Sequence, residues 1–369
     1  MSRQLLIGLV VVVVAIAIAA PRFVPQAFLP ALPASSTPAA GPSIDGVIRV
    51  MFTEPIASER IQDRRSSLDA ELVTFIDEAG STIDGAAYKL DLHEIADALV
   101  RAKDRGVRVR LVTDSESLAR HADAESPTAF DILQDAGIPV VGDERSGLMH
   151  NKFVVRDGES VWTGSWNMTE GGTYRNDNNA VVVHSPELAA AYESEFEQMF
   201  TARKFGPEKD PIAVANPIHV GDASVEVYFA PADRTIIGRL AELIDRAGRR
   251  ISFMTFVLTH DRIGAALRRA AGRGAEVAGV FERSGSGTEA AEYRLLRQSG
   301  LSVYLDANPN NMHHKVIIVD GQTVVTGSFN ISASAELTND ENVLVIHDAN
   351  AARQYLEEFE RIYRLARRR

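Results

Sequence analysis

Two histidine–lysine pairs carry the chemistry of this sequence. Residues 149–167 read M-H-N-K-F-V-V-R-D-G-E-S-V-W-T-G-S-W-N, and residues 312–330 read M-H-H-K-V-I-I-V-D-G-Q-T-V-V-T-G-S-F-N. Both fit H-x-K-x4-D-G-x2-V-x-T-G-S-x-N at a constant offset of 163 residues. Core packing accepts many apolar residues and does not by itself require His, Lys, Ser and Asn at matched spacing in two places. Chemistry at a shared site does. An imidazole titrates at about 6.5, so neutral and protonated forms coexist near neutrality. One ring can then attack phosphorus while the other donates a proton to the leaving oxygen. Ammonium, hydroxyl and amide donors would hold the non-bridging oxygens and stabilise charge in a five-coordinate transition state. The candidate catalytic groups are therefore His150, Lys152, His313 and Lys315, with Ser165, Asn167, Ser328 and Asn330 as phosphate binders. This chemistry needs no metal or other cofactor, and the motif lacks the His/carboxylate cluster of a metal site.

The elements that position these groups are legible around them. The D-G pairs, flanked by β-formers, predict a two-residue hairpin turn. That register would set His150 opposite Ser165 and Lys152 opposite Thr163. Asp157 and Asp320 then fall in the turns, away from the His/Lys face, and read as structural. His314, beside His313, points to the opposite face, and His184 and His347 end the following strands as structural residues. The repeat extends further. A-Y-K-L-D-L-H-E-I (87–95) resembles T-F-V-L-T-H-D-R-I (255–263), and N-D-N-N-A-V-V-V-H (176–184) resembles N-D-E-N-V-L-V-I-H (339–347). Ile95, Leu99 and Ala102 have helical spacing, and Gly106 stands where that helix stops before V-R-V-R-L-V-T-D. Alternating strands and helices predict an α/β fold of two similar lobes. Each lobe would be a mixed central sheet flanked by helices, and the two would pack with pseudo-twofold symmetry. The lobes are placed at 48–205 and 223–369, joined by a linker at 206–222 that contains three of the chain's prolines between Phe205 and Val220.

With both motifs in view, the chain resembles the phospholipase D superfamily, whose hallmark is two H-x-K-x4-D motifs each followed by G-S-x-N. The likeness covers roughly 50–365. Each lobe is similar to the bacterial single-repeat endonuclease and to mitochondrial cardiolipin hydrolase. The resemblance implies a covalent phosphohistidine intermediate, with His150 as nucleophile and His313 as general acid and base. It also implies a carboxylate that orients a catalytic imidazole at Glu341, where the first repeat has Asn178; the neighbouring Asp177 and Asp340 could substitute. A carboxylate behind one histidine only would raise that ring's pKa and split the two roles.

The substrate is less constrained than the reaction. The formal net charge of −11 repels a long polyanion, which favours phospholipid head groups or a membrane surface over nucleic acid. A non-specific endonuclease and a phosphatidyl transferase of the cardiolipin-synthase type are the alternatives, and no obligate protein partner is implied. The absence of cysteine removes thiol catalysis, disulfides and thiolate metal sites. Residues 1–22 read as a signal peptide or a membrane anchor. The uncharged run Leu5 to Ala20 follows Arg3, ends in A-I-A-A and falls just short of the ~20 residues that span a bilayer. A Pro/Ala/Ser-rich linker follows at 23–47. Both readings of residues 1–22 place the lobes outside the cytoplasm. Loops at Ser115–Pro127 and Ser284–Glu289 are expected to line the cleft mouth.

Overall fold

The computed structural model describes residues 47–55, 68–122, 127–286 and 291–368. The expected leader or anchor lies outside the described residues, as does the linker at 23–47 except for Val47. Among the described residues no helix is long and apolar enough to cross a membrane.

The first lobe runs β1 (Ile48–Phe52), α1 (Leu68–Asp77), β2 (Thr82–Ala87), α2 (His93–Asp104), β3 (Arg108–Thr113), α3 (Ser115–Ala122), α4 (Ala129–Asp135), β4 (Val140–Gly142), β5 (Lys152–Arg156), β6 (Ser160–Gly164), α5 (Glu170–Tyr174), β7 (Asn179–His184) and α6 (Pro186–Phe200). The second runs β8 (Ile218–Val220), β9 (Ala223–Ala230), α7 (Ile236–Arg246), β10 (Arg250–Thr255), α8 (Asp261–Gly272), β11 (Glu276–Phe281), α9 (Tyr293–Gln298), β12 (Ser302–Leu305), β13 (Lys315–Val319), β14 (Thr323–Gly327), α10 (Ala333–Leu337), β15 (Glu341–His347) and α11 (Ala349–Arg367). The sheet orders are β1-β7-β6-β5-β2-β3-β4 and β8-β9-β15-β14-β13-β10-β11-β12, so the second repeats the first with β8 added at its edge. In both sheets the three strands next to the motif hairpin's outer side are parallel and the rest antiparallel.

Local signals account for the boundaries. Gly106 and Gly274 have φ of 93° and 96°, the left-handed conformation that ends α2 and α8. Ser185 accepts from Leu188 N–H and Asp348 from Ala351 N–H, capping α6 and α11. Leu188, Tyr192, Phe196 and Met199 of α6 share one core with Tyr355, Phe359 and Ile362 of α11 and with Val181 and Ile318 of the two sheets. Each of these side chains contributes about 1.5–3 kcal/mol by burial. The core joins both halves, so the described residues form one unit. Separate cores under α1 and α2 and under α7 and α8 cover the outer faces.

Three expectations are corrected. The motif hairpin closes at Arg156↔Ser160, leaving a three-residue turn, Asp157-Gly158-Glu159, instead of two. Asp157 and Gly158 are both left-handed, at φ 57° and 66°, and the third residue shifts the register by one, so Thr163 pairs with Phe153. The linker at 206–222 ends in the edge strand β8. The stretch from Ser115, expected as a loop, opens with the helix α3; residues 123–126 and 287–289 of the two expected mouth loops lie outside the described residues.

Candidate active site

The two hairpins meet across the lobe boundary, and backbone bonds fix the meeting. His150 N–H donates to Asp340 O at 3.0 Å, and His313 N–H donates to Asp177 O at 2.8 Å. Each histidine is thus tied to the residue before the Asn/Glu position of the opposite repeat. The side chains repeat this exchange. His150 Nδ1 is 2.7 Å from Glu341 Oε2, and His313 Nδ1 is 2.9 Å from Asn178 Oδ1. With Nδ1–H donating to these oxygens, each ring presents Nε2 for chemistry. Glu341 therefore serves the histidine of the other lobe.

The serines sit one layer back from their expected place. Ser165 Oγ donates to Asn178 Oδ1 at 2.9 Å and accepts from Asn179 N–H; Ser328 Oγ donates to Glu341 Oε2 at 2.7 Å and accepts from Asn342 N–H. Their hydroxyl protons hold the residues that hold the histidines. Gly164 and Gly327 make this packing possible. A Cβ there would lie 2.3 Å from Asn179 O and 2.4 Å from Asn342 O, closer than any side chain tolerates. Asn167 and Asn330 differ from the serines. The Oδ1 of each is buried without a hydrogen-bond partner among the described residues, at matched positions in the two lobes.

Lys152 and Lys315 lie almost wholly buried on the strands that follow, each donating to its own histidine's carbonyl, at 2.5 and 2.8 Å. Two aromatic rings that the motif does not contain flank these pairs. Tyr88 stands with its ring centroid 4.8 Å from that of His150 and 4.8 Å from Lys152 Nζ. Phe256 stands 4.6 Å from His313 and 4.7 Å from Lys315 Nζ. Their backbones are pinned alongside, Tyr88 N–H to Asn151 O and Phe256 N–H to His314 O. Both rings occupy matched places in the longer repeat, A-Y-K-L and T-F-V-L, which is the signal that could have found them.

Burial dominates the electrostatics. It pushes Lys152 down to about 7 and Lys315 well below its ordinary value. Burial first, then Lys152, Lys315 and Lys89, hold His150 well below 6.5, so that ring's pKa is not raised as expected. His313 is lowered in the same way. Burial raises Glu341 to about 8, against the pull of Lys152 and the donors Ser328 and Asn339. Groups coupled this closely titrate as one unit. An anion between the two ammonium groups would oppose their shift and restore their charge.

The remaining candidates lie outside the cleft or beneath it. Asp157 Oδ1 and Oδ2 accept from the N–H groups of Gly80, Ser81 and Thr82, and Asp320 from those of Gly248, Arg249 and Arg250. These aspartates tie the hairpin turn to the loop before β2 or β10. Asp340 is bound by Arg145 and Lys209, and Asp177 by Arg361 and Asn308. Lys209 is fully buried between Glu195 and Asp340, although its sequence context is a linker. His314 bridges Asn179 and Glu358 beneath the sheet, while His184 and His347 bond Ser160 and Thr323 at the far strand ends.

Comparison with known proteins agrees with this architecture. The family model described as cardiolipin synthase, PLD-like domain, matches residues 72–200 and again 240–363. The phospholipase D of Rickettsia bellii is 37% identical over 118 residues, which cover 32% of this chain and 59% of that protein. The mitochondrial cardiolipin hydrolase of Xenopus tropicalis is 32% identical over 146 residues, 38% of this chain and 67% of that one. Among solved structures, the phosphatidylserine synthase of Haemophilus influenzae Rd KW20 superposes with a TM-score of 0.64 over 85% of this chain and 86% of its own, at 15% identity, a likeness of fold. Two domain matches in tandem, one per lobe, place the chain in the phospholipase D-like family.

Proposed function

We propose that this protein is a phosphodiester hydrolase that releases phospholipid head groups through a phosphohistidine intermediate. The observation that carries the reading is the crossed pairing of His150 with Glu341 and of His313 with Asn178, which gathers two imidazoles from different lobes within electrostatic reach of each other and leaves each Nε2 for chemistry. In the first step His150 Nε2 attacks phosphorus, the P–O bond to the head group breaks, and the leaving oxygen takes the proton from His313 Nε2. In the second, neutral His313 takes a proton from water, the water oxygen attacks phosphorus, and the P–N electron pair returns to His150. Lys152 and Lys315 hold the non-bridging oxygens, joined by the amides of Asn167 and Asn330.

The unlike partners support this division of labour. A phosphorylated imidazole carries positive charge on its ring, and Glu341 is placed to balance it. His313 faces only the neutral amide of Asn178, so its protonated form is the stronger acid, suited to a leaving alkoxide. The apolar segment at 5–20 and the chain's acidity support action at a membrane surface outside the cytoplasm, with head-group lipid favoured over nucleic acid.

The test is incubation of purified protein with labelled phosphatidylcholine, cardiolipin and single-stranded DNA in the presence of chelator. Lipid turnover that survives chelation and disappears in His150→Asn is expected. DNA cleavage without lipid turnover would overturn the substrate assignment, and chelator-sensitive turnover would overturn the histidine relay.

A further inference from the structure

The two lobes differ at one position of the cleft wall. The repeat pairs Tyr88 with Phe256 but Lys89 with Val257. Lys89 Nζ lies 5.1 Å from the centroid of the Tyr88 ring, the same ring that stands 4.8 Å from Lys152 Nζ. Because both ammonium groups lie on one ring, they are no more than 9.9 Å apart. Lys89 is half-buried and forms no hydrogen bond or ion pair with the described residues. Its charge reaches the catalytic pair, lowering the proton affinity of both His150 and Lys152. An ammonium with no carboxylate partner among the described residues, this close to Lys152, is available to a second anion. One phosphodiester carries a single negative charge, which Lys152 and Lys315 already share. A third lysine therefore calls for a second anionic group on the ligand.

We propose that Lys89, beside the Tyr88 ring, forms a second anion subsite on the first lobe's side of the cleft, which takes a further phosphate carried by the substrate beside the scissile diester. The proposal rests on the phosphodiesterase site described above and names which lipids that site prefers. Head groups bearing a second phosphate fit it, and a head group bearing a quaternary ammonium does not.

The experiment compares wild type with Lys89→Val, which copies the second lobe, and with Lys89→Arg. In the soluble arm, glycerol 1-phosphate and glycerol 1,3-bisphosphate compete against hydrolysis of bis(4-nitrophenyl) phosphate. The bisphosphate is expected to inhibit wild type about tenfold more strongly, in line with one charge-assisted hydrogen bond. Lys89→Val should erase that difference and Lys89→Arg should keep it. In the lipid arm, cardiolipin and phosphatidylglycerol are presented in detergent micelles of equal negative charge. They share a glycerol head and differ in the second phosphate, and the ratio of their kcat/KM values should fall about tenfold in Lys89→Val. An equal loss on both ligands in both arms, leaving the ratios unchanged, overturns the subsite. A bisphosphate preference that depends on Lys89, with no lipid turned over, upholds the subsite and overturns the lipid reading. Melting curves of the variants verify that each is folded, as expected for a half-exposed side chain.

Discussion

His150 and Glu341 lie 2.7 Å apart across the lobe boundary, whereas His313 meets Asn178 at 2.9 Å in the mirrored position. Neither repeat holds a histidine together with the group that orients it. The two repeats therefore complete each other, and only one of the two crossings holds a carboxyl group.

The charged crossing should matter for the covalent step. Glu341→Gln keeps a hydrogen-bond acceptor but removes the charge that balances a phosphorylated ring. We expect kcat to fall about 10⁴-fold, the scale seen when a buried carboxylate behind a catalytic imidazole is neutralised. Asn178→Asp does the opposite at His313, making it a weaker acid. Its rate should drop on alkyl esters, whose leaving groups need a proton, and hold on 4-nitrophenyl esters. Equal losses on both ester types would remove the acid role from His313.

Intermediate trapping separates the two histidines. With a 4-nitrophenyl ester the leaving group departs without protonation, so His313→Asn should still form the covalent adduct and then fail to hydrolyse it. Alkaline quench and intact-protein mass measurement should show a stoichiometric mass increase in His313→Asn and none in His150→Asn. The reverse pattern would exchange the roles.

Much of this was legible in sequence, for specific reasons. The repeat preserved helical spacing at Ile95, Leu99 and Ala102 and stop signals at Gly106 and Gly274, so element order followed directly. The cleft pairs were visible because His, Lys and Asn recur at one offset. The hairpin register was misread because Glu159 joins Asp157 and Gly158 in the turn, a choice that local residue type does not decide. The crossing of Glu341 to His150 depends on how the repeats interleave, which no one-dimensional pattern carries. Lys209 reads as a solvated charge among prolines, yet it is sealed between Glu195 and Asp340 by the return of the linker.

Lys209 offers a test of that sealed layer. It neutralises Asp340, whose backbone carbonyl holds His150 and whose neighbour is Glu341. Removing one member of a buried ion group leaves uncompensated charge, at a cost of about 3–5 kcal/mol. Lys209→Met should lower the urea midpoint accordingly, and the double variant Lys209→Met with Glu195→Gln should recover part of it. No recovery in the double variant would show that the lysine's packing, and not its charge, is what counts.

The motif aspartates are expected to act on stability more than on rate. Asp157 accepts three backbone N–H groups from the loop before β2, and these bonds hold its carboxyl below its ordinary value despite partial burial. Asp157→Asn, which tolerates the left-handed φ of 57°, should cost about 1 kcal/mol, and Asp157→Ala, which does not, about 2 kcal/mol. In both, kcat of the folded protein at 20 °C should stay within about threefold, since hydrogen bonds at the far end of the hairpin leave the cleft donors in place. A loss of kcat as large as that of Glu341→Gln would return Asp157 to the chemistry.

The buried pair beneath the second hairpin gives a pH signature. Burial pushes the Glu358 carboxyl up, but hydrogen bonds from Arg361 and His314 outweigh it and hold it down at about 2. An unfolded glutamate titrates near 4.3, so between these two values the unfolded chain binds the extra proton. The native state gains from the ionised carboxylate above pH 4.3, and the gain drains away as pH falls toward 2, a contribution of about 3 kcal/mol at neutrality. Glu358→Gln removes it. Urea midpoints at pH 7 should therefore differ clearly between wild type and variant, and the gap should narrow steadily at pH 4 and pH 3. A gap that persists unchanged at pH 3 would mean that Glu358 stabilises the fold by shape and not by charge.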